Sequence, residues 1–306
     1  MNKFTRVVVI CSPKSTLFDK YNKEIKPIIA HFADKNGAEL VEIPLVFVPY
    51  FTARELIGKS LADGDLVVAA GGDGVANVAL DAAMMSGHDT TFAVVPLGNV
   101  NDFASSIYGR VRDPARILHG TTLDFYPLDL SINGEHKLFA SQYISFGATT
   151  VLVDWLNSPA VRAARKKYRG NVARLMLFGA RNIGKISRAI AAMKLPDRVD
   201  NSFGFFLGRT GKYFKLRASR ELHHKPDKLI FHRDNFRGKV VLDAQKLTMW
   251  LLAGIPGKVS TCEKIELSAP CDMICQVGGD NVPLENVREI ACRRAKKPLK
   301  ILVPTK

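Results

Sequence analysis

No stretch of the 306-residue chain approaches the roughly eighteen uninterrupted apolar residues of a membrane-crossing helix, which excludes that class of membrane protein. The opening MNKFTRVVVICS has too short an apolar run for a secretory signal and lacks a small-residue cleavage pattern, so a cytoplasmic protein is expected. Cysteine is sparse: five residues (Cys11, Cys262, Cys271, Cys275 and Cys292), scattered and odd in number. That excludes a disulfide framework and suits reduced thiols. Acid is also short, with 29 Asp and Glu against 44 Lys and Arg, a formal charge of +15. Between Trp155 and Pro196 acid is missing altogether, while Arg162, Arg165, Lys166, Lys167, Arg169, Arg174, Arg181, Lys185, Arg188 and Lys194 accumulate. A field of one sign attracts anionic surfaces: acidic lipid head groups, nucleic acid or nucleotides. No nucleic-acid reader motif is present and aromatics are not interleaved in the basic run, so nucleic acid is not the expected partner.

What is present is enough apolar residue, 47% of the chain, for a full core, and enough length for two domains. Up to about residue 125 the pattern reads β-α-β-α-β-α-β, which implies a parallel sheet with helices on both faces. Arg6–Cys11 and Glu39–Pro44 read as strands. Phe18, Tyr21, Ile25, Ile28, Ile29 and Phe32 recur at helical spacing, with Pro27 set to kink or split the helix. Thr52 to Asp63 reads as a helix with Thr52 as its N-cap. After Asp124 the period changes. Leu128–Ile132, the pair Asn133-Gly134 and Lys137–Ala140 form a hairpin signature. A helical interlude from about Thr150 to Met193 places Val172, Leu175, Met176, Ile183, Ile186 and Ile190 on one face, with the basic residues around much of the rest. Further strands are expected at Ser202–Leu207, Tyr213–Arg217, Gly238–Leu242, Lys264–Leu267, Met273–Val277 and Leu299–Val303. The fold class is therefore α/β plus β: a three-layer domain over residues 1–125 and a β-rich, sandwich-like domain with inserted helices over residues 126–306.

The chain is organised around Leu66 to Ala104. An apolar strand runs into Gly71-Gly72-Asp73-Gly74, a helix follows, and a second strand breaks into Pro96-Leu97-Gly98-Asn99-Val100-Asn101-Asp102-Phe103. Both turns fall at the carboxyl ends of strands, where parallel α/β sheets bind ligands. The glycines let the backbone turn tightly and approach a ligand, and the N–H groups and dipole of a helix start favour an anion. Asp73 would repel phosphate, unless a divalent cation or a nucleotide hydroxyl or amide lies between them. A plain strand-to-helix turn capped by Asp73 is the alternative.

GGDGV followed by PLGNVNDFA resembles the diacylglycerol kinase catalytic-domain family, in the superfamily of sphingosine, ceramide and, more distantly, NAD kinases. The resemblance implies a lipid kinase using ATP and Mg²⁺, with Gly71, Gly72, Asp73, Gly74 and Asn99 at the nucleotide and Asn101 and Asp102 shaping the site. It places Ser12, in Ser12-Pro13-Lys14-Ser15-Thr16, and Thr52 beside the nucleotide. It makes Asp280, in Gly278-Gly279-Asp280-Asn281, the general base, where a hairpin turn is the other reading. It also implies a structural Mg²⁺ held by the carbonyls of Phe231 and Phe236 and the carboxylate of Asp234. The implied substrate is a lipid hydroxyl of the diacylglycerol kind, met at an anionic membrane surface, and the last strand is implied to pack back on the first domain; a homodimer is left open. Val75, Asn99 and Gly278 depart from the family pattern, which has Thr, Thr and Asp there. The rivals are phosphorylation of a soluble dinucleotide, against which the NDFA segment argues, and a catalytically weakened nucleotide- or membrane-binding relative.

Overall fold

A computed structural model describes residues 4–15, 17–46, 48–98, 101–109, 111–168, 172–191, 203–207, 212–213, 216–217, 231–232, 259–260 and 264–305. From the N-terminus run β1 (Arg6–Cys11), α1 (Phe18–Lys20), a π-helical turn (Tyr21–Ile25), α2 (Lys26–Asn36), β2 (Glu39–Pro44) and α3 (Tyr50–Ser60). Then come β3 (Leu66–Gly71), α4 (Asp73–Ser86), β4 (Thr91–Pro96), α5 (Asp102–Tyr108), α6 (Pro114–Leu118) and β5 (Thr121–Phe125). The widened π turn lies just upstream of Pro27. An α-helical turn there would drive the proline ring into the carbonyl of Lys23, so the helix expected from the sequence is split as Pro27 requires.

The second half opens with β6 (Leu128–Ile132), β7 (Glu135–Ala140) and β8 (Tyr143–Gly147). Asn133 (φ 54°) and Gly134 (φ 83°) make the β6–β7 turn, a two-residue hairpin of primed type. Three helices follow, α7 (Ala148–Asn157), α8 (Pro159–Lys167) and α9 (Val172–Ala191). Next are β9 (Phe203–Leu207) and the two-residue strands β10 (Lys212–Tyr213), β11 (Leu216–Arg217), β12 (Phe231–His232) and β13 (Val259–Ser260). The chain closes with β14 (Lys264–Val277), β15 (Asp280–Arg294) and β16 (Leu299–Val303). The strands expected at 264–267 and 273–277 are thus one strand with an irregularity in it, and β15 is an element the sequence reading did not anticipate. The strand expected at Gly238–Leu242 lies outside the described residues.

The first sheet has the order β2-β1-β3-β4-β16-β5. Its first four strands are parallel, and β16 pairs parallel to β4 and antiparallel to β5. All six residues of β3 and of β4 are buried, which explains their unbroken apolar runs. The second sheet, β7-β6-β15-β14-β8-β9, is antiparallel throughout. One of its faces buries Leu130, Ile144, Phe146, Val277, Val282 and Leu284, and Tyr50 and Phe51 of α3 pack against that core. Between the two sheets lies α4. Every residue from Ala76 to Ala83 is buried, because β3 covers one side of the helix and β7 the other. Among the described residues no helix is long and apolar enough to cross a membrane.

Candidate active site

The two glycine turns are packed backbone to backbone at the carboxyl edge of β3 and β4. A Cβ on Gly98 would lie 2.5 Å from the Cα of Gly72, and a Cβ on Gly71 would lie 2.6 Å from the side chain of Val75, where α4 folds back at once. The Leu97 N–H donates to the Gly71 carbonyl at 2.8 Å. No side chain caps Gly72 at the start of α4, so backbone amides and the positive end of the dipole form this edge of the site. Asn101 holds the second turn from within. It sits in the left-handed region (φ 52°), accepts from the Gly98 N–H at 2.8 Å and donates to the Gly98 carbonyl at 2.6 Å.

Asp73, the first residue of α4, reaches across to α5. Its Oδ1 accepts from the Phe103 N–H at 3.0 Å, at the N-terminus of that helix. Burial pushes the Asp73 carboxyl up, and the amides of Phe103, Asp102 and Asn101 pull it back. Its visible work is to lock one turn to the other. Asp102, next in line, is buried.

From the second domain, the β14–β15 hairpin brings Asp280 to the same place. Its tip is Gly278 (φ 57°) and Gly279 (φ 90°), and Asp280 opens β15. A Cβ on Gly74 would overlap the Asp280 carboxylate, so the acid rests on the glycine turn itself. A Cβ on Gly278 would meet the Cβ of Asn77 at 2.6 Å and the Asp73 carbonyl oxygen at 2.7 Å. The segment is a hairpin turn, and its acid lies beside the first glycine turn. Asp73, Asn101 and Asp280 therefore surround one site rather than three.

The remaining candidates divide. Ser12 is half-buried just after β1 at the same sheet edge, where its carbonyl accepts from Ser15 N–H at 2.9 Å. Thr52 does not cap its helix: Pro49 is the N-cap, because its extended backbone (ψ 150°) turns the chain into α3, and Thr52 stands exposed in the first turn. Asn99, Asp234 and Phe236 lie outside the described residues, and Phe231 pairs with Ser260 in β12–β13.

Sequence reasoning missed the joint between the domains. Asn77 and Asp81, both fully buried on α4, bond the exposed edge of β7. Asp81 Oδ1 accepts from the Phe139 N–H at 2.7 Å, and Asn77 Oδ1 accepts from the Ser141 N–H at 2.8 Å. The Asn77 amide donates to the Tyr50 hydroxyl at 2.8 Å and to the Phe139 carbonyl at 3.4 Å, while Tyr50 donates to Asp81 at 3.1 Å. Arg54 reaches the Lys137 carbonyl at 2.7 Å and Asp81 at 3.4 Å. Burial raises the Asp81 carboxyl to about 6, partly opposed by the Phe139 amide, Arg54, Tyr50 and His136. The signal was there to find: two polar residues one turn apart in a helix otherwise apolar all round must have built-in partners.

Comparison with known proteins bears on the fold. Residues 6–123 match the model of the diacylglycerol kinase catalytic domain. The structure of a diacylglycerol kinase from Bacillus anthracis is similar over 99% of this chain and 98% of that one, with a TM-score of 0.60 at 16% identity. A second structure from that organism, described as a candidate diacylglycerol kinase, gives a TM-score of 0.59 at 15% identity over the same shares. At these identities the likeness is one of fold. No curated protein matches by sequence.

Proposed function

From the match of residues 6–123 to the diacylglycerol kinase catalytic domain, we propose that the chain is a kinase that moves the γ-phosphate of ATP to a lipid hydroxyl of the diacylglycerol kind. The carrying observation is the meeting of three parts along Gly72 to Gly74: the amide-lined start of α4, the second turn, whose Gly98 packs on Gly72, and the Asp280 carboxylate, which lies against Gly74. The amides of the glycine turn hold phosphate oxygens, and Asp73 and Asn101 keep both turns in register. Asp280 takes the proton of the acceptor hydroxyl as its oxygen bonds to the γ-phosphorus, and the bond to the β–γ bridging oxygen breaks with ADP as leaving group.

The residues present fit a nucleotide and its metal. Gly71, Gly72 and Gly98 let the two turns pack against each other and against α4, the start of α4 offers backbone amides that no side chain caps, and Mg²⁺ carried by phosphates needs only one or two protein carboxylates. Asp73 and Asp102 would hold it, and its chemistry is to neutralise charge on the phosphates. Asn99 and the Phe231, Asp234 and Phe236 set remain assignments by resemblance.

Contact with an anionic bilayer is supported by α9, where Arg174, Leu177, Arg181, Lys185 and Arg188 all stand exposed at helical spacing. The side chains of Val172, Leu175, Met176, Ile183, Ile186 and Ile190 lie outside the described residues. The test is a total lipid extract incubated with protein, ATP and Mg²⁺ and read by mass spectrometry, with NAD as a parallel acceptor. Phosphorylated lipid is expected from the parent, and Asp280→Asn should lose at least about a hundredfold in kcat while retaining nucleotide, as loss of a general base implies. Parent-level transfer by the variant, or transfer to NAD alone, overturns the reading.

A further inference from the structure

The β7 edge of the second sheet is satisfied by side chains of two helices, α3 and α4, rather than by another strand. Residues 137, 139 and 141 present outward backbone groups, and Arg54, Asp81 and Asn77 take them in that order. The match is metrical. Helix positions four apart are separated by about 6 Å along the axis, and alternate strand residues by about 6.6 Å. Asn77 faces Ser141 and Asp81 faces Phe139, so α4 runs antiparallel to β7 as a pseudo-strand. Asn77 also touches the tip of the β14–β15 hairpin, since Gly278 has no room for a Cβ beside it. One side chain thus contacts both the sheet edge and the turn that precedes Asp280. The same helix begins, four residues earlier, with the glycine turn on which Asp280 rests.

Building on the kinase reading, we propose that Asn77 is a positioning residue for phosphoryl transfer. With Asp81 and Tyr50 it clamps the second sheet to α4, and so fixes the Asp280 carboxylate against Gly74. The clamp acts through Asp280 and leaves the phosphate cradle, which belongs wholly to the first domain, intact.

Two measurements test this together. In Asn77→Ala, hydrogen exchange of the hairpin tip (residues 276–284) should rise about tenfold or more while β1 exchanges as in the parent. The same variant should lose about thirtyfold or more in kcat with nucleotide Kd changed less than about threefold. Asp65→Asn is the control for plain loss of stability. It breaks the Arg6–Asp65 pair at the far end of the first sheet, where Arg6 Nε donates to Asp65 at 2.9 Å. It should leave tip exchange and kcat unmoved. Should Asn77→Ala fail to fold, Tyr50→Phe removes only the hydroxyl shared by Asn77 and Asp81, and a threefold or greater rise in tip exchange is expected. Unchanged tip exchange in the folded variant, or an equal kcat loss in the control, overturns the clamp. If the parent phosphorylates no acceptor, the kinase reading falls alone, and the exchange measurement still decides the clamp.

Discussion

At the scale of single residues the site is governed by where a Cβ is forbidden. Gly74 is in the first turn of α4, where alanine would ordinarily be the better helix former by about 1 kcal/mol. Here its added methyl would enter the space of the Asp280 carboxylate. Gly74→Ala is therefore expected to leave the thermal midpoint within a few degrees of the parent while lowering kcat by about a hundredfold; parallel melting curves and turnover assays check this. Parent-level turnover in that variant would place Asp280 away from the turn. The same reasoning accounts for the glycine at 278, where the resembled family carries an acid. Its φ of 57° is left-handed, and its Cα faces Asn77 and the Asp73 carbonyl too closely for any side chain. The acid is absent from 278 because the tip is seated tightly, and Asp280 remains as the acid of the turn.

At the scale of elements, α4 does two jobs, one at its N-terminus and one along its flank, and the flank is titratable. Asp81 holds its proton up to about pH 6 in the folded chain, against about 3.9 in an unfolded one. Between those values the native state binds the extra proton, so this group's stabilising contribution is complete below about pH 4 and disappears as pH rises through about 6. Two units correspond to about 3 kcal/mol. Urea unfolding at pH 4, 5, 6 and 7 should show the parent's stability falling relative to Asp81→Asn by about that amount; a constant difference would contradict it. Local patterns made much of the fold readable. The strand ranges at 6–11, 39–44, 128–132 and 299–303 follow from apolar runs and alternation, and the β6–β7 hairpin from its Asn-Gly pair. Alternation also hid β15. Its buried residues run 282, 284, 287, 290 and 292, slipping where Asn286 takes φ 49°, so no period-2 template spans it. The two glycine turns were legible as turns at the carboxyl ends of neighbouring strands, but the clamp was not, because its partners come from β7, more than fifty residues away in the chain.

At the scale of the molecule the chain closes on itself. β16 begins five residues after β15 ends, leaves the second sheet, and inserts between β4 and β5 of the first. It buries Leu299, Ile301 and Leu302 and carries all five ladder pairs of β5. On the far side it pairs with β4 at Thr91 and Phe92; further along β4 the Val94 N–H is taken instead by the Tyr108 hydroxyl at 2.9 Å. A cut at residue 125 would therefore remove an interior strand of the sheet that bears the glycine turns and leave β5 without a partner. Each buried side chain in β16 contributes about 1.5–3 kcal/mol, and their sum is a large part of the 5–15 kcal/mol that typically separates folded from unfolded domains. Deleting residues 299–306 should thus lower the thermal midpoint by roughly 10 °C or more. A fragment of residues 1–125 should lack a cooperative unfolding transition, and adding the 295–306 peptide in trans should restore part of it. Scanning calorimetry of the three samples decides the matter: a fragment 1–125 that melts cooperatively by itself would mean that the first sheet closes without β16.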